Sequence, residues 1–299
     1  MTAPRQILPG STYFVTRRCT QRMFLLKPSP ETNSLILYCL AEAAEETGVI
    51  LHAVCFMSNH WHGVLSDPFA RLPEFLERFH RRIARALNVV LDRRENFWSS
   101  EKTTVILLAT ERDIVDRMAY TLANPTAAGL VSSPADWPGI ISRNFEKVLR
   151  VEMPEILAGL QEGGPDLVHL SFMRPPAYQS LSNGEFSTLL DSLVIHRVRR
   201  AHAEMRRTGQ QFLGAKQVLK QSAESKPTTP GKAPLHGLPV AASDPKIREV
   251  AVFKLKKFLH AYREAFRSWC RGERHVAFPF GTYALRVHFG IPCAPPAPS

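Results

Sequence analysis

Two histidines stand one residue apart in the stretch FMSNHWHGVL, residues 56–65, with a tryptophan between them. On a β-strand successive side chains face opposite ways, so His60 and His62 share one face and Trp61 takes the other, toward a core. Two neutral imidazoles placed like this can ligate one divalent ion. On a helix the same spacing would turn the rings about 200° apart. A His-x-His pair alone is equally compatible with two ordinary polar positions on a half-exposed strand. Catalysis needs further ligands, or open positions filled by substrate oxygens. Tyr120 and Asn124, in MAYTLANP, lie four residues apart and share a face if that segment is helical. Asn124 offers a hard amide oxygen suited to Mg²⁺ or Mn²⁺. Tyr120 offers a phenol that can act as a nucleophile toward a polarised phosphate. The plainer alternatives are a half-buried tyrosine bonded to backbone and an asparagine that caps a helix before Pro125.

The flanking sequence supplies elements that could position these groups. STYFVTRR (Ser11–Arg18) is β-branched and aromatic and reads as a strand. The Leu-, Ala- and Glu-rich run from about Thr32 to Thr47, closed by Gly48, reads as a helix. Val49–Ser58 and HWHGVLS read as two strands joined by a turn at Ser58 and Asn59. Leu72–Arg94 is a long amphipathic helix, with Phe75, Leu76, Phe79, Ile83, Leu87 and Val90 at three- and four-residue steps. Thr103–Ala109 reads as a strand, and Glu111–Pro125 as a helix ended by its proline. The order β-α-β-β-α-β-α is that of an α+β, ferredoxin-like split βαβ layer, an antiparallel sheet with packed helices.

Beyond residue 140 the pattern changes. Residues 141–222 read as a mainly helical basic region, 223–245 as a Pro/Ser/Lys-rich linker, and 246–299 as a basic helix with a short extended tail. No internal repeat is evident. The formal net charge is +11, which favours an anionic partner, most often nucleic acid. The excess is uneven: residues 1–150 carry 18 Lys/Arg against 15 Asp/Glu, and residues 151–299 carry 20 against 12. Arg17, Arg18 and Arg22 flank the first strand, and Arg78, Arg81, Arg82 and Arg85 recur at helical spacing. These seven are the candidate DNA-phosphate contacts; the alternative is a solvated face paired with Glu74, Glu77 and Asp92. Five scattered cysteines without a Cys-x-x-Cys pair argue against a disulfide framework or structural zinc. No apolar run is long enough to cross a bilayer, no secretory leader is evident, and no P-loop is present. The expectation is a cytoplasmic protein that uses no membrane and no nucleotide cofactor.

SNHWHGVL followed by AYTLANPTAAGLV and DWPG resembles the single-tyrosine HUH transposases, and among them the REP-associated tyrosine transposases. The opening YFVTRRCTQR resembles the first strand of that family. The resemblance spans about Pro9 to Pro138, which sets residues 1–140 as the catalytic domain. It implies that His60, His62 and Asn124 hold Mg²⁺ or Mn²⁺, and that Tyr120 attacks DNA to form a 5′-phosphotyrosine. The better-known members often carry glutamine where this chain has Asn124, one methylene shorter. The implied partner is single-stranded or hairpin DNA, met in the nucleoid, and both a monomer and a homodimer are compatible with it. The competing readings are a domesticated DNA-binding protein with the same fold and little cleavage, and a metal hydrolase of small substrates. The last would need further ligands, and only His52 on the preceding strand stands near.

Overall fold

Alternation along Ser11–Arg18 sends Tyr13 and Val15 to one side and Phe14 to the other, and two hydrophobic layers follow from that split. The computed structural model describes residues 4–142, 145, 147–160, 163–228 and 239–296. Strand β1 (Ser11–Arg18) leads to helix α1 (Pro30–Thr47), then to strands β2 (Ile50–Met57) and β3 (His60–Asp67). Helix α2 (Leu72–Val90), strand β4 (Thr104–Leu108) and helix α3 (Glu111–Ala127) complete the first unit. The strands order as β2-β3-β1-β4, with every neighbouring pair antiparallel. This is the split βαβ arrangement expected from the sequence. Local signals fix the boundaries of α1: Ser29 accepts the Thr32 amide at its start, Pro30 opens the first turn, and Gly48 closes it at φ 72°.

One face of the sheet, carrying Trp61, Leu65, Val15 and Val105, is covered by α1 and α2. The opposite face, carrying Phe14, Ala53, Val64 and Ile106, is covered by α3 through Ile114, Val115, Met118 and Ala119. The tight β2–β3 turn at Ser58 and Asn59 therefore holds a strand whose two faces have different tasks. The outer edge of β2 is closed by the segment after α3. Phe56 N donates to Ile140 O, Ser142 N donates to Val54 O, and Trp137 Nε1 donates to Phe56 O at 3.0 Å. Gly139 is required there, since a Cβ would stand 2.7 Å from Trp137 Nε1. β2 carries a register shift between Leu51 and Ala53 that sets His52 apart. His52 is fully buried, with Nδ1 at 2.8 Å from Met173 O and Nε2 at 2.7 Å from Ser66 Oγ. It is a framework residue, with both ring nitrogens engaged by Met173 O and Ser66 Oγ.

Several sequence expectations are corrected. α3 runs through Pro125 to Ala127. A proline two residues from the end forfeits one intrahelical bond, and the Ala128 amide still closes onto Asn124 O at 2.9 Å. α2 stops at Val90, short of Arg94, where Asp92 adopts φ 47°. Residues 141–222 hold a hairpin, β5 (Leu149–Glu152) and β6 (Leu167–Leu170), with helix α4 (Glu155–Gly159) between its strands. Val151, Leu157, Val168 and Leu170 join the layer around α1. Helix α5 (Asn183–Thr208), opened by a Ser182/Glu185 capping box, lies on α3 through Phe186 and Leu190. A short helix α6 (Ala215–Lys220) follows.

The linker expectation also changes. Residues 229–238 of it lie outside the described residues, but β7 (Val240–Ala241) pairs in parallel with β4 and becomes the fifth strand. Helix α7 (Pro245–Cys270) packs there through Leu255 and Phe258. The tail forms helix α8 (Ala284–Phe289), ended by Gly290 at φ 62°, where an extended segment was expected. Among the described residues, no helix is long and apolar enough to cross a membrane.

Candidate active site

β3 is where the two layers meet the chemistry. Trp61 is fully buried between the sheet and α2, stacked on Phe56 at 5.4 Å and edge-on to Phe79 at 5.3 Å. Its Nε1 donates to His80 Nε2 at 3.0 Å. Gly63 leaves room for that indole, because a Cβ there would stand 2.6 Å from Trp61 Cζ3. With the indole pinned on one side, His60 and His62 leave the strand on the other, and their Nε2 atoms are 3.0 Å apart.

The hydrogen bonds around His60 fix its tautomer. Asn59 Nδ2 donates to Arg22 O at 3.2 Å, which turns Asn59 Oδ1 toward His60 Nδ1 at 2.6 Å. His60 Nδ1 must therefore carry its proton, leaving Nε2 with a free lone pair. That lone pair points toward His62 Nε2, 3.0 Å away. His62 Nδ1 is left buried and without a hydrogen-bond partner. Desolvation, then Arg18 and Arg22, push the His60 imidazole down to about 4. Desolvation, then His60, Arg18 and Arg117, hold His62 well below the ordinary imidazole range. Both rings are neutral near pH 7, the form that ligates metals.

This pair suits a divalent cation. Nitrogens that share one ion at ~2.1 Å each stand ~3 Å apart when cis to one another. A hydrogen-bond acceptor on the far nitrogen of a ligand, here the Asn59 amide oxygen, orients the ring for such a site. The protein ligand set is nonetheless small. Among the described residues, no cluster of three or more His, Cys, Asp or Glu could hold a metal. Asn124, 8% exposed and one turn beyond Tyr120, is the neighbouring hard oxygen donor on α3. Its side-chain amide makes no hydrogen bond among the described residues.

α3 brings the phenol to the histidines. The Tyr120 ring is 5.5 Å from the His62 ring at 73°, and 5.9 Å from Phe14 at 77°. Phe14 stacks on His62 at 5.4 Å, so three rings from β1, β3 and α3 form one cluster. Tyr120 is half-buried. The Arg117 guanidinium lies 5.6 Å from the Tyr120 ring and 5.3 Å from Phe14, and Arg197 of α5 lies 5.8 Å from the Tyr120 ring. Cations at Arg18, Arg22, Arg117 and Arg197 thus surround the group formed by His60, His62 and Tyr120. Such a surround suits an anion.

The seven candidate arginines divide. Arg18 faces His60 across the β1/β3 pair, and Arg22 is bonded through its carbonyl to Asn59. Arg17 turns to the opposite side, with Nη1 at 3.1 Å from both His80 Nδ1 and Thr103 Oγ1, and its guanidinium over Trp98. Arg82 is buried, paired with Glu42, bonded to Gly163 O and set against the Tyr38 ring. Arg78 shares the same Glu42 carboxylate at 2.9 Å. Arg81 and Arg85 are exposed, but α2 lies on the Trp61 side of the sheet. The expected arginine stripe is therefore split, and none of its members reaches Tyr120. Glu42 holds Arg82 buried and Arg78 half-buried on the Trp61 side of the sheet.

Four residues at the site escaped the sequence reading. Asn59 adjoins His60, and a search for a partner to the imidazole Nδ1 would have raised it. Arg117 shares a helical face with Tyr120 at i, i+3. Phe14 required the β1/β3 register. Arg197 lies in the basic run of residues 196–207, which composition offers for DNA contacts, but its distance in sequence hides that it meets Tyr120.

No family model matches the chain, and no curated protein matches it. Solved structures do. A REP-associated tyrosine transposase bound to a REP hairpin is similar at 17% identity and a TM-score of 0.39, over 46% of this chain and 81% of its own. A candidate transposase from Deinococcus radiodurans is similar at 19% identity and a TM-score of 0.28, over 36% of this chain and 85% of its own. The chain is thus similar to two transposase structures over part of its length, in superpositions too loose to carry an argument about chemistry.

Proposed function

We propose that this protein is a transposase-like endonuclease and strand transferase that cuts single-stranded or hairpin-forming DNA through a 5′-phosphotyrosine at Tyr120. One observation carries the reading: the Tyr120 ring lies against His62, whose Nε2 meets His60 Nε2 at 3.0 Å, on the face of the sheet that α3 covers. In the reaction, Tyr120 Oη forms a bond to the scissile phosphorus as the P–O3′ bond breaks. The phenol gives up its proton, and the departing 3′ oxygen takes one up to leave as a hydroxyl. One phosphodiester is exchanged for another, so the same or another 3′-hydroxyl can reverse the step and rejoin strands without a nucleotide energy source. A divalent ion, Mg²⁺ or Mn²⁺, held by His60, His62 and the Asn124 amide, would supply a Lewis acid for a non-bridging phosphate oxygen. Asn59 keeps His60 Nε2 unprotonated for that task, and Phe14 sets the angle between His62 and Tyr120.

The test is incubation with hairpin-forming oligonucleotides drawn from the flanks of this protein's own coding region, with Mn²⁺. A covalent protein–DNA adduct is expected from the native chain and not from Tyr120→Phe. A second reading, a DNA-binding protein with little cleavage, is favoured by a candidate metal site that, among the described residues, offers two imidazoles and no carboxylate. Tight DNA binding with no adduct at any divalent ion would select it.

A further inference from the structure

α5 lies outside the split βαβ unit, yet it delivers a cation to the nucleophile. Arg197 Nη2 meets Asp116 Oδ1 at 2.5 Å, and the guanidinium stands 5.8 Å from the Tyr120 ring. Asp116 is on α3, four residues before Tyr120, so the ion pair ties the two helices together beside the phenol. Arg117 approaches the same ring from α3 itself, and among the described residues it has no carboxylate partner. Phe186 and Leu190 seat α5 on the α3 layer, which gives Arg197 a fixed origin. Both guanidiniums are only partly exposed. Arginine forks held on aromatic faces keep their N–H groups directed outward and suit bidentate phosphate binding. Asp116 neutralises one of the two cationic charges, so the group remains net cationic beside the candidate nucleophile.

We infer that Arg117 and Arg197 form a phosphate clamp for single-stranded DNA at Tyr120, with Asp116 as the positioning residue for Arg197. This rests on the reading of Tyr120 as the nucleophile, and it makes α5 a working part of the site. The clamp holds the phosphate that Tyr120 attacks, or the one adjoining it, by charge-assisted hydrogen bonds without reading bases.

The test uses the full chain in a Tyr120→Phe background, with a fluorescein-labelled oligothymidylate followed by anisotropy between ~50 and ~200 mM salt. Each lost single-strand phosphate contact lowers the slope of log affinity against log salt by ~0.7. Arg197→Ala and Arg117→Ala are each expected to lower it by about that amount, and the double variant by about twice it. Arg197→Lys keeps the charge and should retain most of the slope, which guards against misfolding of the alanine variant. Arg207→Ala, at the far end of α5 and paired with Glu204, is expected to leave the slope unchanged. In the Tyr120 parent, Asp116→Asn should slow adduct formation with little change in slope. Equal slopes for the native and Arg197→Ala chains overturn the clamp, as does an equal drop in Arg207→Ala. Absence of adducts from the native chain, with the slope differences intact, would instead sink the nuclease reading and leave the clamp standing. Absence of oligothymidylate binding would overturn both.

Discussion

Trp61→Phe separates the two faces of β3. Trp61 is fully buried, and its Nε1 donates to His80 Nε2. Phenylalanine would keep the stack on Phe56 and lose the donor, leaving a buried imidazole nitrogen unpaired at a cost of ~1–3 kcal/mol. The lost ring volume adds about 1 kcal/mol. The expected destabilisation is ~2–4 kcal/mol, a fall of very roughly 5–12 °C in Tm for a chain of this size. The histidines project from the opposite face, so Mn²⁺ affinity of the folded variant should change by less than ~3-fold. Urea unfolding and calorimetric Mn²⁺ titration measure the two quantities on one preparation. A double-mutant cycle with His80→Leu should recover a coupling of ~1–2 kcal/mol between the two residues. A loss of stability below ~1 kcal/mol, or a collapse of metal affinity in a variant of native stability, would refute the two-faced strand.

The remaining predictions concern the same sheet. Acid should destabilise the protein in a defined window: burial pushes His52 down to about 4 from its ordinary 6.5, so between those values the unfolded chain binds the proton and the folded one does not. Stability is then fully present above pH 6.5 and falls toward pH 4, by ~3 kcal/mol from His52 alone, and urea midpoints for His52→Gln should show a shallower decline. Asn59→Ala should fold normally but weaken Mn²⁺ binding ~10–100-fold, because His60 loses the acceptor that fixes its tautomer; unchanged calorimetric affinity would count against the metal pair. Gly63→Ala should cost ~1–3 kcal/mol by pressing a methyl into the Trp61 indole, and near-neutral thermal melting would mean that the ring has room to move.

The local signals in the first 127 residues were strong enough to be read directly. Periodicity gave β1, α1, β3 and α2, the split βαβ order followed from their sequence, and strand alternation put His60 and His62 on one side with Trp61 on the other. Helical spacing put Tyr120 and Asn124 on one face of α3. These are short-range properties of the backbone, with periods of two and 3.6, and a single chain displays them without its partners. What joined those faces was non-local. The Phe14–His62–Tyr120 cluster depends on β1 pairing beside β3 and on α3 crossing that face; Arg197 depends on α5 settling on α3. The arginines show the same division: spacing grouped Arg78, Arg81, Arg82 and Arg85, but Glu42, on another helix, drew Arg78 and Arg82 away from solvent. β7 and the β5–β6 hairpin were hidden because strands of two and four residues carry too little periodicity to be seen until a neighbour supplies their hydrogen bonds. Which residues share a face was therefore legible in the sequence, while what surrounds and charges them was decided only when distant elements packed together.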